Sequence, residues 1–247
     1  MWKIIRNRLD QGYKTSSYPK QPIALYERYR GRPQINRQCD PALIRQCAEA
    51  CPQEAIDGAS GAIDLGRCTF CGLCEMQSQG KFVQFSQNFE LGAATRADLI
   101  TDGSYADLAA QSKQHFKKLF GRSLQLRQVS AAGCNACEAD TNVLNTPFFD
   151  LSRFGIDFVA SPRHADGIHV TGPISRNMKA ALLTTYEAMP SPKVVIASGA
   201  CSISGGPFYS SDEIVGDLSE LLPVDLYIPG CPPHPLTTLH ALLTFFK

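Results

Sequence analysis

The second half of the chain alternates short β-branched apolar runs with stretches of helical spacing. Residues 124–129 read as a strand, as do 156–160, 168–171, 194–197 and 224–228. Helical patterns intervene, the clearest over 178–186. Strands alternating with helices predict a parallel sheet, whose loops meet at its carboxyl edge. The first half is patterned differently. Ile56 and Ile63 flank Asp57-Gly58 and Gly61, which predicts a hairpin. Residues 92–123 read as a linker, with helical stretches at 93–96, 107–110 and 115–120 and breaks at Gly103 and Gly121. At the start, Trp2, Ile5 and Leu9 fall on one face of a short basic helix, a pattern compatible with a membrane surface. No stretch approaches the ~18 apolar residues of a membrane span. The N-terminus also lacks the apolar core and cleavage site of a signal peptide. A cytosolic chain with reduced thiols is expected.

Composition divides this picture in two. The 247 residues are 44% hydrophobic and 19% charged, an ordinary globular balance. The net charge of +1 conceals an asymmetry. Residues 1–127 hold 18 Lys+Arg and 12 Asp+Glu, whereas 128–247 hold 6 and 11. A basic module followed by an acidic one is implied. The first 37 residues carry nine basic and two acidic side chains, interleaved with Tyr13, Tyr18, Tyr26 and Tyr29. Pro19 and Pro22 interrupt that run and no recognition fold accompanies it, so nucleic acid is not expected as a partner. An extended arm packing on partner subunits fits better.

Ten cysteines carry the chemistry, six before residue 75 and four after residue 133. Cys51-Pro52 and Cys68-Thr69-Phe70-Cys71-Gly72-Leu73-Cys74 form a C-x2-C-x2-C run with a remote C-P, the arrangement of bacterial ferredoxins. A tight loop wraps three corners of a cubane, a distant thiolate closes the fourth, and Gly72 lets the backbone approach. Zinc sites usually present two pairs rather than a triple, so iron–sulfur is the expectation for Cys51, Cys68, Cys71 and Cys74. A companion cluster would need cysteines at positions 41, 44 and 78, which hold Pro41, Ile44 and Ser78. Cys39 and Cys47 are left as uncertain ligands, and a third cluster is not expected there.

The later cysteines lie in Cys134-Asn135-Ala136-Cys137, Gly199-Ala200-Cys201 and Pro229-Gly230-Cys231-Pro232. Each group follows a predicted strand, so the sheet edge gathers Cys134, Cys137, Cys201 and Cys231 into one four-thiolate site. On spacing alone, a structural zinc remains open here.

These residues resemble a known family. Gly133-Cys134-Asn135-Ala136-Cys137-Glu138, Ser161-Pro162-Arg163-His164-Ala165-Asp166, Thr171-Gly172-Pro173, Ser204-Gly205-Gly206 and the run from Val224 through Cys231 to Pro233 carry the likeness. They are similar to the small subunit of group 4, formate hydrogenlyase-type [NiFe] hydrogenases and to its relative in complex I, the B-type subunit. The complex I version has adjacent cysteines in the first loop, whereas C-x2-C at Cys134 and Cys137 is the hydrogenase form. Residues 11–100 resemble the ferredoxin-like subunit of the same complexes, through Thr15-Ser16-Ser17-Tyr18-Pro19, Tyr29-Arg30-Gly31-Arg32-Pro33 and the Cys68–Cys74 loop. The chain thus looks like a fusion of two subunits.

The resemblance implies an α/β chain: a ferredoxin-like α+β module, then a flavodoxin-like parallel α/β domain. The expected boundaries are an extended basic arm at 1–37, the iron–sulfur domain at 38–91, the linker at 92–123 and the hydrogenase small-subunit-like domain at 124–247. It implies two [4Fe-4S] clusters, on Cys51/Cys68/Cys71/Cys74 and Cys134/Cys137/Cys201/Cys231. The expected role is an electron-transfer oxidoreductase subunit whose catalytic centre lies in a [NiFe]-hydrogenase-like large subunit. Membrane subunits and a ferredoxin-like or formate-oxidising module are the other implied partners. The place implied is the cytoplasmic face of the cell membrane, held peripherally through those partners. Glu138 is a candidate proton relay or cluster-tuning residue, against a plain helix-start carboxylate. His164 is expected to be a hydrogen-bonded structural residue, and His234 to sit close to Cys231. A complex I-like NADH or quinone oxidoreductase is the first alternative, and a zinc-stabilised assembly scaffold the second.

Overall fold

A computed structural model describes residues 2–112, 114–121 and 123–247. Met1 of the expected arm and Lys113 and Arg122 of the expected linker lie outside the described residues.

The chain starts with helix α1 (Trp2–Gln11), none of whose residues is buried. Trp2, Ile4 and Leu9 are exposed on it. Ser16–Pro33 then runs across the chain's own second half rather than away from it. Arg153 donates to the carbonyls of Ser16 (2.7 Å) and Tyr18 (2.8 Å), and the Tyr18 hydroxyl meets His240 Nδ1 at 2.8 Å.

The first module pairs β1 (Pro33–Ile35) antiparallel with β3 (Val83–Phe85), and β2 (Ile63–Asp64) antiparallel with β4 (Ile100–Thr101). Ile56 bridges Ile63, as the hairpin reading requires. Helix α2 (Pro41–Glu49) begins at Asp40, whose carboxylate accepts from Ala42 N, with Pro41 at the first helical position. Its apolar face buries Ile44 and Cys47. Helix α3 (Leu73–Gln77) follows Gly72.

Part of the stretch expected as a linker is built into both modules. β4 completes the first module's second sheet. Residues 93–96 are not helical. Ala93 instead exchanges two backbone hydrogen bonds with Tyr227, 3.0 and 2.8 Å, on the outer edge of the large sheet. A strand edge leaves unpaired amide groups, and this segment satisfies them. Beyond it lie α4 (Leu108–Gln111), capped by Asp107, and α5 (Gln114–Phe120).

The large sheet comprises β5 (Leu124–Ser130), β6 (Ile156–Phe158), β7 (Gly167–Thr171), β8 (Val194–Ser198) and β9 (Leu226–Ile228). All pairings are parallel and the order is β6-β5-β7-β8-β9. That is the flavodoxin-like order, with its switch point between β5 and β7. Helix α6 (Ala136–Val143) follows β5, α7 (Arg176–Glu187) follows β7, α8 (Ala200–Ser204) follows β8 and α9 (Pro235–Phe246) follows β9. Each crossover returns the chain to the same edge.

Residues paired across a parallel sheet share a face, which divides the core in two. Leu124, Leu126, Ile156, Val194, Ile196 and Leu226 pack against α9, whose Leu239, Leu242, Phe245 and Phe246 are fully buried. Val170, Val195 and Tyr227 face the other way and join Ile44, Leu65 and Phe82 of the first module in one continuous core. The two modules therefore share packed apolar surface.

Candidate functional site

Cys51 sits two residues beyond the end of α2, Cys68 and Cys71 lie on the loop leading into α3, and Cys74 is the second residue of that helix. Ferredoxin-type spacing brings all four onto the wall of one cavity. The rest of its wall is mostly apolar and includes Ala55, Ile56, Ile63, Leu73 and Phe85. Two backbone amides donate to its sulfurs, Ala55 N to Cys51 Sγ at 3.4 Å and Phe70 N to Cys68 Sγ at 3.3 Å. Gly72, at φ +78, supplies the turn between the last two cysteines.

The second set is assembled from distant sequence. Cys134 lies in the loop after β5 and Cys137 at the start of α6, Cys201 is at the start of α8 after β8, and Cys231 lies in the loop after β9. Two glycines admit the sulfurs. A Cβ on Gly199 would stand 2.7 Å from Cys137 Sγ, and one on Gly206 would stand 2.8 Å from Cys201 Sγ. The Cys137 thiol feels the charges of Cys201, Cys231 and Cys134, so the four form one electrostatic group. Cys137 and Cys201 are buried, while Cys134 and Cys231 remain exposed at the open side.

Burial pushes the thiols of Cys74, Cys137 and Cys201 up to about 12, and raises Cys68 and Cys231 as well. Neighbouring cysteines raise each of them further. Thiols raised this far stay protonated near neutral pH unless a positive centre meets their charge. Iron would supply that charge, and four cysteines are the donor set that [4Fe-4S] clusters use. Among the described residues, no three His, Cys, Asp or Glu side chains gather around a single ion. The first set instead lines a cavity. Both sets fit the larger group in donor type and number.

Cys39 and Cys47 are near one another, since Cys39 is the charge that raises the Cys47 thiol after burial. Cys47 is fully buried, its Sγ 3.7 Å from the Cys74 carbonyl. The positions that would complete a third set have other structural roles. Pro41 starts α2, Ile44 is a core residue, and Ser78 is buried with its hydroxyl donating to the Glu75 carbonyl at 3.4 Å.

Glu138 lies in the first turn of α6, half-buried, and accepts a 2.7 Å hydrogen bond from the Thr171 hydroxyl. His164 is exposed on the short 3-10 turn Pro162–His164, and among the described residues its ring makes no side-chain hydrogen bond, contrary to expectation. A ring on an exposed turn is satisfied by water. His234 caps α9, its Nδ1 accepting from Leu236 N at 3.1 Å, and shares a cavity wall with Cys231.

That cavity also draws in residues of the arm and of the first cysteine loop. Thr69 and Phe70 of the first cysteine loop line it opposite Cys231 of the second. Arg28, Tyr29 and Arg30 of the arm close one side. The Tyr29 ring packs edge-on against His234 at 5.2 Å, and its hydroxyl is 3.3 Å from Thr237 Oγ1. The one local signal was Gly31, where a Cβ would collide with the Asn88 carbonyl and so marks a close backbone approach.

Residues 134–245 match the family described as NADH ubiquinone oxidoreductase, 20 Kd subunit. Three relatives show the range. The "Probable membrane-bound hydrogenase subunit mbhJ" of Pyrococcus furiosus is 41% identical over 126 residues, 51% of this chain and 75% of that protein. Formate hydrogenlyase subunit 7 of Escherichia coli is 42% identical over 131 residues, 53% of this chain and 51% of that protein. The B-type subunit of the NADH-quinone oxidoreductase of Carboxydothermus hydrogenoformans is 46% identical over 112 residues, 45% of this chain and 68% of that protein. The chain thus spans only about half of the formate hydrogenlyase protein.

Proposed function

The chain belongs to the family of the 20 kDa subunit of NADH ubiquinone oxidoreductase, and on that premise we propose that it is an iron–sulfur electron-transfer subunit of a membrane-associated [NiFe] hydrogenase complex of formate hydrogenlyase type. The observation that carries this reading is the convergence of Cys134, Cys137, Cys201 and Cys231 from the ends of three strands at one sheet edge, open on one side. An open thiolate site on an electron-transfer subunit calls for a second protein to cover it. A large subunit carrying the nickel–iron centre fits there. Membrane subunits and a ferredoxin-like or formate-oxidising module complete the proposed assembly. Among the described residues no helix is long and apolar enough to cross a membrane, so attachment to the inner face of the membrane would run through those partners.

Cys51, Cys68, Cys71 and Cys74 would hold one [4Fe-4S] cluster, and the later four the other. When bound, such clusters take up and release single electrons. The chain's own residues supply the thiolates, the amide donors of Ala55 and Phe70, and the apolar walls that keep water away. The shared core and the wall around Tyr29 hold the two cysteine loops at a fixed separation. Glu138, beside Cys137 and bonded to Thr171, is placed to tune the second site or hold a proton near it.

Iron and acid-labile sulfide analysis with EPR of the anaerobically purified chain tests this. Two reduced cubane signals support it. Stoichiometric zinc without sulfide would replace it with the scaffold reading. The second reading, a complex I-like oxidoreductase, is favoured by the 46% identity to the Carboxydothermus hydrogenoformans protein. The C-x2-C spacing at Cys134 and Cys137 weighs against it. Nickel in the purified complex, with hydrogen-dependent reduction of an artificial acceptor, separates the two.

A further inference from the structure

Arg30 is the residue on which the inference rests. Its backbone is fixed from both sides. Tyr29 before it is pinned to His234 and Thr237, and Gly31 after it donates to the Ser86 carbonyl at 2.7 Å. The Arg30 Nη1 reaches the Phe70 carbonyl at 3.5 Å, inside the Cys68–Cys74 loop. Its guanidinium lies against Gly72, so close that any Cβ there would collide with it. Gly72 thus serves the turn and also gives a cation access to the cysteine loop.

Charge gives this placement a consequence. Among the described residues neither Arg28 nor Arg30 forms an ion pair with a carboxylate. A guanidinium stays charged at any working pH. Reduction adds one negative charge to the group held by the loop, and an uncompensated cation beside it favours the reduced form. Arg30 is exposed, so water weakens the effect without abolishing it.

We propose that Arg30, laid against Gly72, raises the reduction potential of the cluster held by Cys51, Cys68, Cys71 and Cys74. This rests on the electron-transfer reading above. Arg30 acts through its charge on the loop and is a tuning residue, not a ligand. Arg28, on the same cavity but without a contact to the loop, contributes less.

The test is an EPR-monitored redox titration of the full chain, anaerobically purified with both clusters loaded. Wild type is compared with Arg30→Gln, Arg30→Lys and Arg28→Gln. Arg30→Gln is expected to move the midpoint of the N-terminal cluster to more negative potential and to leave that of the other cluster nearly in place. Arg30→Lys, which keeps the charge, should shift it less, and Arg28→Gln less still. The gap between wild type and Arg30→Gln should narrow as salt is raised, which a purely structural role would not produce. Should Arg30→Gln fail to bind iron, Arg30→Met carries the same comparison. Equal midpoints for wild type and the neutral variants, or Arg30→Lys shifting as far as Arg30→Gln, overturn the proposal. Absence of iron and sulfide in the wild type would overturn the reading beneath it instead.

Discussion

Arg96 donates to both carboxylate oxygens of Asp64, Nη1 to Oδ1 at 2.8 Å and Nη2 to Oδ2 at 2.6 Å. Its Nε lies 3.5 Å from Asp217 Oδ2 in the second module. One guanidinium therefore ties β2 of the first module to the turn at Leu218 in the second. The link is partly buried, and Ser204 supports it by donating to the Gly66 carbonyl at 2.9 Å across the same seam.

Arg96→Ala leaves Asp64 and Asp217 without their shared cation. The expected loss is about 1.5–3 kcal/mol, the range for a charge-assisted bond whose partner is stranded. Urea unfolding of the variant against wild type measures it. Because the core is continuous across the modules, a single cooperative transition is expected to shift as a whole.

Gly199→Ala forces a methyl group into the space beside Cys137 Sγ, at a backbone φ of +93 that alanine rarely adopts. The second thiolate set should fail to close, whereas the first, in another module, keeps its geometry. Iron and sulfide per chain should fall by half, with the signal of the N-terminal cluster retained. Loss of both signals, or of neither, contradicts this assignment.

Replacing Cys39 and Cys47 together by alanine should leave the iron and sulfide content unchanged, since Pro41, Ile44 and Ser78 provide no further thiolates. The cost is one of packing. Cys47 is fully buried, and trimming it costs on the order of 1 kcal/mol. Loss of iron from the double variant would mean that these two thiols do hold a cluster.

His169 is fully buried in β7, and among the described residues neither ring nitrogen has a hydrogen-bond partner. Burial lowers its pKa to about 4, against 6.5 in the unfolded chain, with Glu138 pulling weakly the other way. The unfolded chain therefore binds the proton more readily between those values. The stability linked to a neutral His169 is complete above pH 6.5 and is lost as pH falls towards 4. It is worth on the order of 3 kcal/mol over that window. His169→Leu should flatten the dependence of the urea midpoint on pH below neutrality; an unchanged slope would refute the assignment.

Local spacing was enough for part of this structure. Cys68, Cys71 and Cys74 fall on one short loop, so covalent geometry alone keeps their sulfurs near each other. The five strands were legible because β-branched runs between helical patterns have few other ways to bury themselves. Their placement after β5, β8 and β9 also announced the second thiolate set, since parallel strands must present those loops on one edge.

What the chain does between its modules was not legible. Residues 93–96 have helical composition, yet Ala93 pairs with Tyr227, because the open edge of β9 offers backbone bonds that a short helix cannot match. The arm reads as a basic tail for partner subunits, yet Tyr18 and Tyr29 are held by His240, Thr237 and His234 of the same chain. Sequence determined the two cysteine groups and the parallel character of the sheet, since both follow from short-range spacing and pattern. Only the tertiary structure decided that the Cys68–Cys74 loop faces Cys231 across one cavity with Arg30 against Gly72, since that depends on which surfaces of two modules bury each other.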